Sequence, residues 1–136
     1  LDQKKLVWAE SDLWTHQHQP TILENGHIMV FDNQGEPETS KVIEFDPATG
    51  EIIWQYGTAP EEHFFTEQIG SCQRLPNNNV LITESEPGRA FEVTLDKTIV
   101  WEYYNPYRAG ENDEFIATLL EVVRLPSDFP QDWIEG

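Results

Sequence analysis

The sequence repeats itself at an interval of about fifty residues, and this repeat limits the possible folds more than any other feature. Leu23–Val30 aligns with Leu75–Ile82, 52 positions further on, and Ile52–Tyr56 aligns with Ile99–Tyr103, 47 positions further on. Within each repeat, short runs of β-branched and aromatic residues alternate with turn residues such as Asn25-Gly26, a pattern typical of antiparallel strands. Four strands in a unit of this length are the signature of a β-propeller blade.

The repeat predicts where strands and blades begin and end. The first blade is predicted to contain the strands Gln17–Leu23, His27–Asn33, Ser40–Asp46 and Glu51–Tyr56, and the second the strands Ser71–Leu75, Asn79–Ser85, Arg89–Leu95 and Thr98–Tyr104. We therefore predict an all-β chain, a propeller segment of about two complete four-stranded blades with a partial blade at each end. Its parts are a trailing strand within 1–10 (Lys5–Glu10), blades over 13–57 and 70–104, and the start of a next blade within 115–136 (Phe115–Arg124). Because closed propellers have about four to eight blades, we expect a piece of a larger ring or a chain that assembles with copies of itself.

The net charge of the chain argues against two classes of binding partner. Eight Lys and Arg residues stand against 25 Asp and Glu, which gives a formal net charge of −17, and such a surface repels nucleic acid and anionic membranes. No apolar run approaches the roughly 20 residues that a membrane-spanning helix needs. The single cysteine, Cys72, rules out an internal disulfide and is expected to be a small buried residue. We expect no cofactor.

An ordered set of motifs carries a family resemblance. Gln17-His18, Phe31-Asp32-Asn33, Ser40-Lys41 and Asp46–Trp54 are followed by Gln73–Asn77, Phe91-Glu92-Val93 and Ile99–Tyr103. This succession resembles the C-terminal blades of the arylsulfotransferase (arylsulfate sulfotransferase) family. The resemblance implies a propeller that passes a sulfuryl group from an aryl sulfate to a phenol through a histidine, in a periplasmic or extracellular setting. It also implies that His18, Asn33 and Lys41 bind substrate near the propeller axis.

The sequence departs from the family pattern at two points. Lys41 stands where the family commonly has arginine, so the charge is kept and the bidentate fork is lost. The family's sulfate-accepting histidine is expected in the strand that matches Asn79–Ser85, and no histidine occurs there. His18 is then the best candidate for a catalytic residue, whereas His63 lies in a loop-like stretch and is not assigned a role. We predict that this chain alone is inactive. The alternative is a non-catalytic propeller repeat protein that serves binding or self-assembly.

Other residue patterns have simpler structural explanations. His16 and His18 lie two apart on a predicted strand and face the same way, but no third ligand is evident and no metal site is predicted. Trp8, Trp54 and Trp101 recur in matching strands and are predicted to pack the blades. Four arginines stand out in so acidic a chain, and we expect them to pair with carboxylates, with anion capture as the alternative: Arg74, Arg89, Arg108 and Arg124.

Overall fold

The computed structural model describes residues 4–6 and 8–132, and in that part of the chain the regular structure is almost entirely strand. The strands are β1 (Gln17–Ile22), β2 (Ile28–Glu36), β3 (Thr39–Phe45), β4 (Ile52–Tyr56), β5 (Ser71–Arg74), β6 (Val80–Glu84), β7 (Arg89–Val93), β8 (Ile99–Tyr104), β9 (Arg108–Ala109) and β10 (Phe115–Ile116). A single 3₁₀ turn, Pro60–Glu62, follows β4. No helix in the described residues is long and apolar enough to cross a membrane.

The chain divides into two compact units, Leu1–Gly70 and Ser71–Gly136. The N-terminal unit contains one antiparallel sheet in the order β1-β2-β3-β4, and the C-terminal unit contains a second in the order β5-β6-β7-β8 together with the β9-β10 pair. The fold is therefore all-β and antiparallel, as predicted for a segment of a β-propeller.

The strands of the two four-stranded sheets pair in the same register within each sheet. Trp54 lies opposite Glu44 in the first sheet, and Trp101 lies opposite Glu92 in the second. A shift in register follows each of these pairs, between Glu44 and Phe45 and between Glu92 and Val93. The sequence repeat is therefore a repeat of strand pairing, and the two tryptophans occupy equivalent positions.

Apolar residues cover both faces of the first sheet. On one face, Val30, Ile43 and Phe45 form a buried cluster against which Leu13 and Trp14 pack. The opposite face carries a second aromatic group, in which the rings of Phe31 and Tyr56 each lie 5.9 Å from the ring of Phe64. Because alternate residues of a strand face opposite sides, the run Met29–Phe31 contributes to both layers.

The structure differs from the prediction at both ends of the chain. In the described residues of Lys5–Glu10 there is no strand; instead the Trp8 ring stacks on Phe45, with centroids 6.1 Å apart. Of the predicted strand Phe115–Arg124, only Phe115–Ile116 is a strand, and it pairs with Arg108–Ala109. A strand needs a neighbour for its backbone groups, and in the rest of this segment isolated bonds to loop carbonyls and to side chains take the place of a neighbouring strand. Thr83 Oγ1, for example, accepts the Val122 N–H at 3.0 Å.

The packing of Phe45 generates a stability prediction. Phe45 is fully buried and its ring centroid lies 5.4 Å from that of Trp14. We expect Phe45→Ala to lower the free energy of unfolding by about 3–5 kcal/mol, since it leaves a cavity in a packed core. Denaturant unfolding followed by tryptophan fluorescence measures this. The control Ile22→Ala, at a residue 78% exposed, should change stability by no more than about 0.5 kcal/mol; equal effects would contradict the assigned core.

Candidate functional site

The strand register places two of the three predicted site residues on the same face of the first sheet. His18 in β1 lies opposite Phe31 in β2, and opposed residues of an antiparallel pair share a face. Asn33 lies two residues beyond Phe31 on the same strand and so faces the same side. Lys41 lies opposite Asp32, and both belong to the other face. The structure thus brings His18 and Asn33 to one side of the sheet and Lys41 to the other.

The imidazole of His18 is partly buried and packs against a second imidazole. The rings of His16 and His18 meet edge to face with centroids 5.4 Å apart, which confirms that the two side chains project together. The Nδ1 atom of His18 is buried and has no hydrogen-bond partner among the described residues. No group of three His, Cys, Asp or Glu residues that could hold a metal ion occurs in the part of the chain that the structure describes.

Asn33 is fully buried, and only half of its amide is satisfied. Its Nδ2 donates to the carbonyl oxygens of Thr66 and Ile69, both at 2.8 Å. Its Oδ1 atom is buried and accepts no hydrogen bond from the described residues. The two bonds that Nδ2 donates fix the orientation of the amide, so Oδ1 is held in place as an available acceptor.

Asp32 belongs to the Phe31-Asp32-Asn33 motif, and its role in this site was not predicted from the sequence. Its buried carboxylate accepts the backbone N–H of His16 at 2.8 Å and that of Thr15 at 3.2 and 3.3 Å. The Gln34 N–H lies 3.4 Å from Oδ1. The sequence contains one indication of this role: Asp32 is an acidic residue within a largely apolar predicted strand. Acidic residues are rarely buried in such a strand unless other groups partner them.

The ammonium group of Lys41 already has partners within the protein, a carboxylate and a backbone carbonyl. Its Nζ lies 3.6 Å from Asp32 Oδ2 and donates to the Leu13 carbonyl at 3.2 Å. Lys41 also lines an open cavity of about 280 Å³ together with Gly57 and His63. Gly57 has a φ of +95°, and a Cβ there would lie 2.3 Å from the Ser40 carbonyl oxygen. Only glycine therefore lets the chain turn this closely over β3.

The second sheet carries different chemistry at the equivalent positions. Glu84 lies opposite Arg89, as Asp32 lies opposite Lys41, and their charged groups are 3.0 Å apart. Thr83 replaces Phe31, and its hydroxyl accepts a hydrogen bond from Ser71 at 2.9 Å. No histidine lies in β6 or elsewhere in 71–136, so the C-terminal unit offers no imidazole nucleophile.

Two arginines of the C-terminal unit, Arg89 and Arg124, pair with carboxylates as predicted, and Arg74 Nη1 donates to the Asn78 carbonyl at 2.6 Å. Burial acts to lower the pKa of Arg89, but hydrogen bonds and charge from Glu84 and Glu102 outweigh it, and the pKa is raised. The pKa of Glu92 is lowered, first by a hydrogen bond from Asn79 and also by Asn77 and Arg124, against the opposing effect of burial. Glu92 therefore stays charged, and Arg124 Nη2 lies 3.0 Å from its Oε2.

The motif order agrees with a comparison of the sequence against known families. The family model described as arylsulfotransferase (ASST) matches residues 3–106. The chain belongs to the arylsulfotransferase family. No curated protein matches it, and no solved structure does.

Family membership confirms the resemblance that the motifs carried, and the match covers both four-stranded sheets. The blade boundaries remain predictions, and so does the substrate-binding role of His18, Asn33 and Lys41. Their expected nearness to a propeller axis also stays a prediction.

Cys72 gives a chemical test of the packing next to β6. Burial raises the pKa of its thiol to about 12, while the charge of Arg74 acts in the opposite direction. Because this pKa lies above the roughly 8.5 of a free thiol, the folded protein keeps the proton where the unfolded chain loses it. The contribution of this thiol to the free energy of unfolding is therefore fully present below about pH 8.5 and is lost as the pH rises towards 12.

We expect iodoacetamide at pH 8 to alkylate native Cys72 at least about 100-fold more slowly than urea-unfolded protein, because the thiolate is the reactive form. Mass spectrometry measures the rates, and Cys72→Ser supplies the blank. Similar rates for native and unfolded protein would show that Cys72 is accessible.

Proposed function

We propose that this chain forms part of an arylsulfotransferase-like propeller that transfers a sulfuryl group from an aryl sulfate to a phenol. In this proposal His18 and Asn33 contact the substrate, and Lys41 contributes positive charge to the same end of the sheet. The histidine that accepts the sulfuryl group is not assigned, and His18 is the best candidate that the chain contains. A periplasmic or extracellular location accompanies this proposal.

The observation that carries the proposal is a pair of unsatisfied polar atoms. His18 Nδ1 and Asn33 Oδ1 are both buried without a partner among the described residues, and they belong to the same face of one sheet. A buried polar atom without a hydrogen bond costs about 1–3 kcal/mol, so a ligand that bonds both atoms would recover that cost. A phenol hydroxyl can donate to Asn33 Oδ1, and a protonated imidazole can donate to a sulfuryl oxygen.

Two features support the proposal that the chain is inactive alone. Sulfuryl transfer through histidine needs an imidazole nitrogen as nucleophile, and β6, where the family histidine is expected, has none. Lys41 occupies the position where the family commonly has arginine, and its ammonium group lies beside Asp32. A single ammonium already bonded to the protein clamps a sulfuryl group less firmly than a free guanidinium fork.

The second candidate function is a non-catalytic repeat protein that binds partners or copies of itself. All six residues of the outer strand β8 are exposed, including Trp101 at 39% and Tyr104 at 54%. An exposed, aromatic edge strand is a place where another strand can pair. This observation favours assembly whether or not the assembled propeller is an enzyme.

Ligand binding and turnover test the first proposal separately. We expect 4-nitrophenyl sulfate to shift the imidazole NMR signals of His18 but not those of His27, which bonds Glu44 at 2.8 Å. His18→Ala should remove the binding, and His27→Ala should not. With phenol added as acceptor, the chain alone should release no 4-nitrophenol. Turnover that is lost in His18→Ala would contradict the proposed inactivity, and unshifted His18 signals would favour the non-catalytic alternative.

Light scattering across a salt series tests assembly. The charge of −17 opposes association at low ionic strength, and salt screens that repulsion. We therefore expect the mass of the particles to rise with salt concentration. A monomer at every salt concentration would rule out self-assembly by the edge strands.

A further inference from the structure

We propose that Asp32 is a positioning residue of the sulfuryl-transfer site: it holds the segment Thr15–His18 against β2, so that His18 and Asn33 face one substrate. The functional part of this inference rests on the proposed function. Asp32 touches no reacting atom in this account, because it lies on the opposite face of the sheet from Asn33 and acts through the backbone.

The contacts of Asp32 are those of a residue that fixes a chain segment. Thr15 and His16 precede β1, so the strand ladder does not supply acceptors for their N–H groups. Asp32 supplies them, with the His16 N–H at 2.8 Å from Oδ1 and the Thr15 N–H at 3.2 Å from Oδ2. Hydrogen bonds to an ionised carboxylate are about twice as strong as neutral ones, and this carboxylate is fully buried.

A second bond holds the same segment from the neighbouring residue. The Asn33 N–H donates to the His16 carbonyl at 3.1 Å, so His16 is bonded through both of its backbone polar groups. The segment cannot slide along β2 without breaking both bonds. The edge-to-face contact between the His16 and His18 rings then follows from a fixed backbone, and it sets where the His18 imidazole lies relative to Asn33.

Lys41 completes this arrangement as the counter-ion. A buried carboxylate is costly unless a positive charge or several donors compensate it, and Lys41 Nζ lies 3.6 Å from Asp32 Oδ2. The same ammonium donates to the Leu13 carbonyl, two residues before Thr15. Lys41 therefore offsets the burial of the Asp32 carboxylate and also ties down the start of the segment that Asp32 holds.

The C-terminal unit provides a matched control. Glu84 occupies the register position of Asp32 and pairs with Arg89, so Glu84→Gln breaks an equivalent buried ion pair. Arg89 also bonds Glu102 in β8, and the unit contains no histidine. A general loss of stability would follow from either substitution, whereas a change in the His16–His18 segment should follow from Asp32→Asn alone.

The experiment compares both variants by NMR, with circular dichroism to confirm that the β-structure is retained. We expect Asp32→Asn to move the His16 amide proton upfield and to shift or broaden the imidazole signals of His16 and His18. Glu84→Gln should leave these signals unchanged. Unchanged His16 and His18 signals in Asp32→Asn would overturn the proposal, and so would equal changes in both variants.

Binding of 4-nitrophenyl sulfate separates this proposal from the proposed function. If the unmodified chain binds, Asp32→Asn should weaken binding about ten-fold, the loss expected for one charge-assisted hydrogen bond, and an unchanged affinity would overturn the functional role of Asp32. If the unmodified chain does not bind, the proposed function fails, and the NMR comparison still decides whether Asp32 positions the segment.

A measurement on the unmodified chain keeps the proposal testable should Asp32→Asn not fold. Scalar coupling across a hydrogen bond should link the His16 amide nitrogen to the Asp32 carboxyl carbon. Its absence, in a spectrum that detects such couplings between β2 and β3, would overturn the proposal.

Discussion

The buried carboxylate of Asp32 joins the chain before β1, which lies outside the strand ladder, to the sheet of the N-terminal unit. It bonds the chain before β1, lies opposite Lys41 in β3, and shares β2 with Asn33. A carboxylate can accept several hydrogen bonds at once, and a buried one is tolerated only where they are made. The face that carries His18 and Asn33 therefore depends on a charge located on the opposite face.

The two sheets keep one frame and change the chemistry placed on it. In both, a glutamate on the third strand is held by side chains of the first turn: Asn25 and His27 contact Glu44, and Asn77 and Asn79 contact Glu92. At matching positions of the two repeats, Asn33 within β2 and Ser85 directly after β6, each unit has a buried polar atom with no partner among the described residues, Asn33 Oδ1 and Ser85 Oγ. The strand pairing is thus repeated in both sheets, whereas histidines occur only in the N-terminal unit.

The sequence was sufficient for the frame because strand alternation and turn residues are local signals. It placed Trp54 and Trp101 in equivalent strands and His16 beside His18. It was insufficient where partners are distant in sequence. The segment 117–124 reads as a strand by composition, yet bonds from Thr83 and Gln73 hold it outside any ladder. Likewise, Asp32 accepts bonds from His16 and Thr15, which lie 16 and 17 positions earlier in the sequence, and these bonds have no local sequence signal. The grouping of His63 with Lys41 around one cavity has none either.

Hydrogen exchange at the His16 amide tests the central claim most directly. This N–H lies outside every strand, and its acceptor is the buried Asp32 carboxylate, so no ladder bond protects it. The account predicts exchange at least about 100-fold slower than in an unstructured chain, as for other amides that are hydrogen-bonded in the folded state. Exchange at the unprotected rate, with the amides of β2 still protected, would show that Asp32 does not hold this segment.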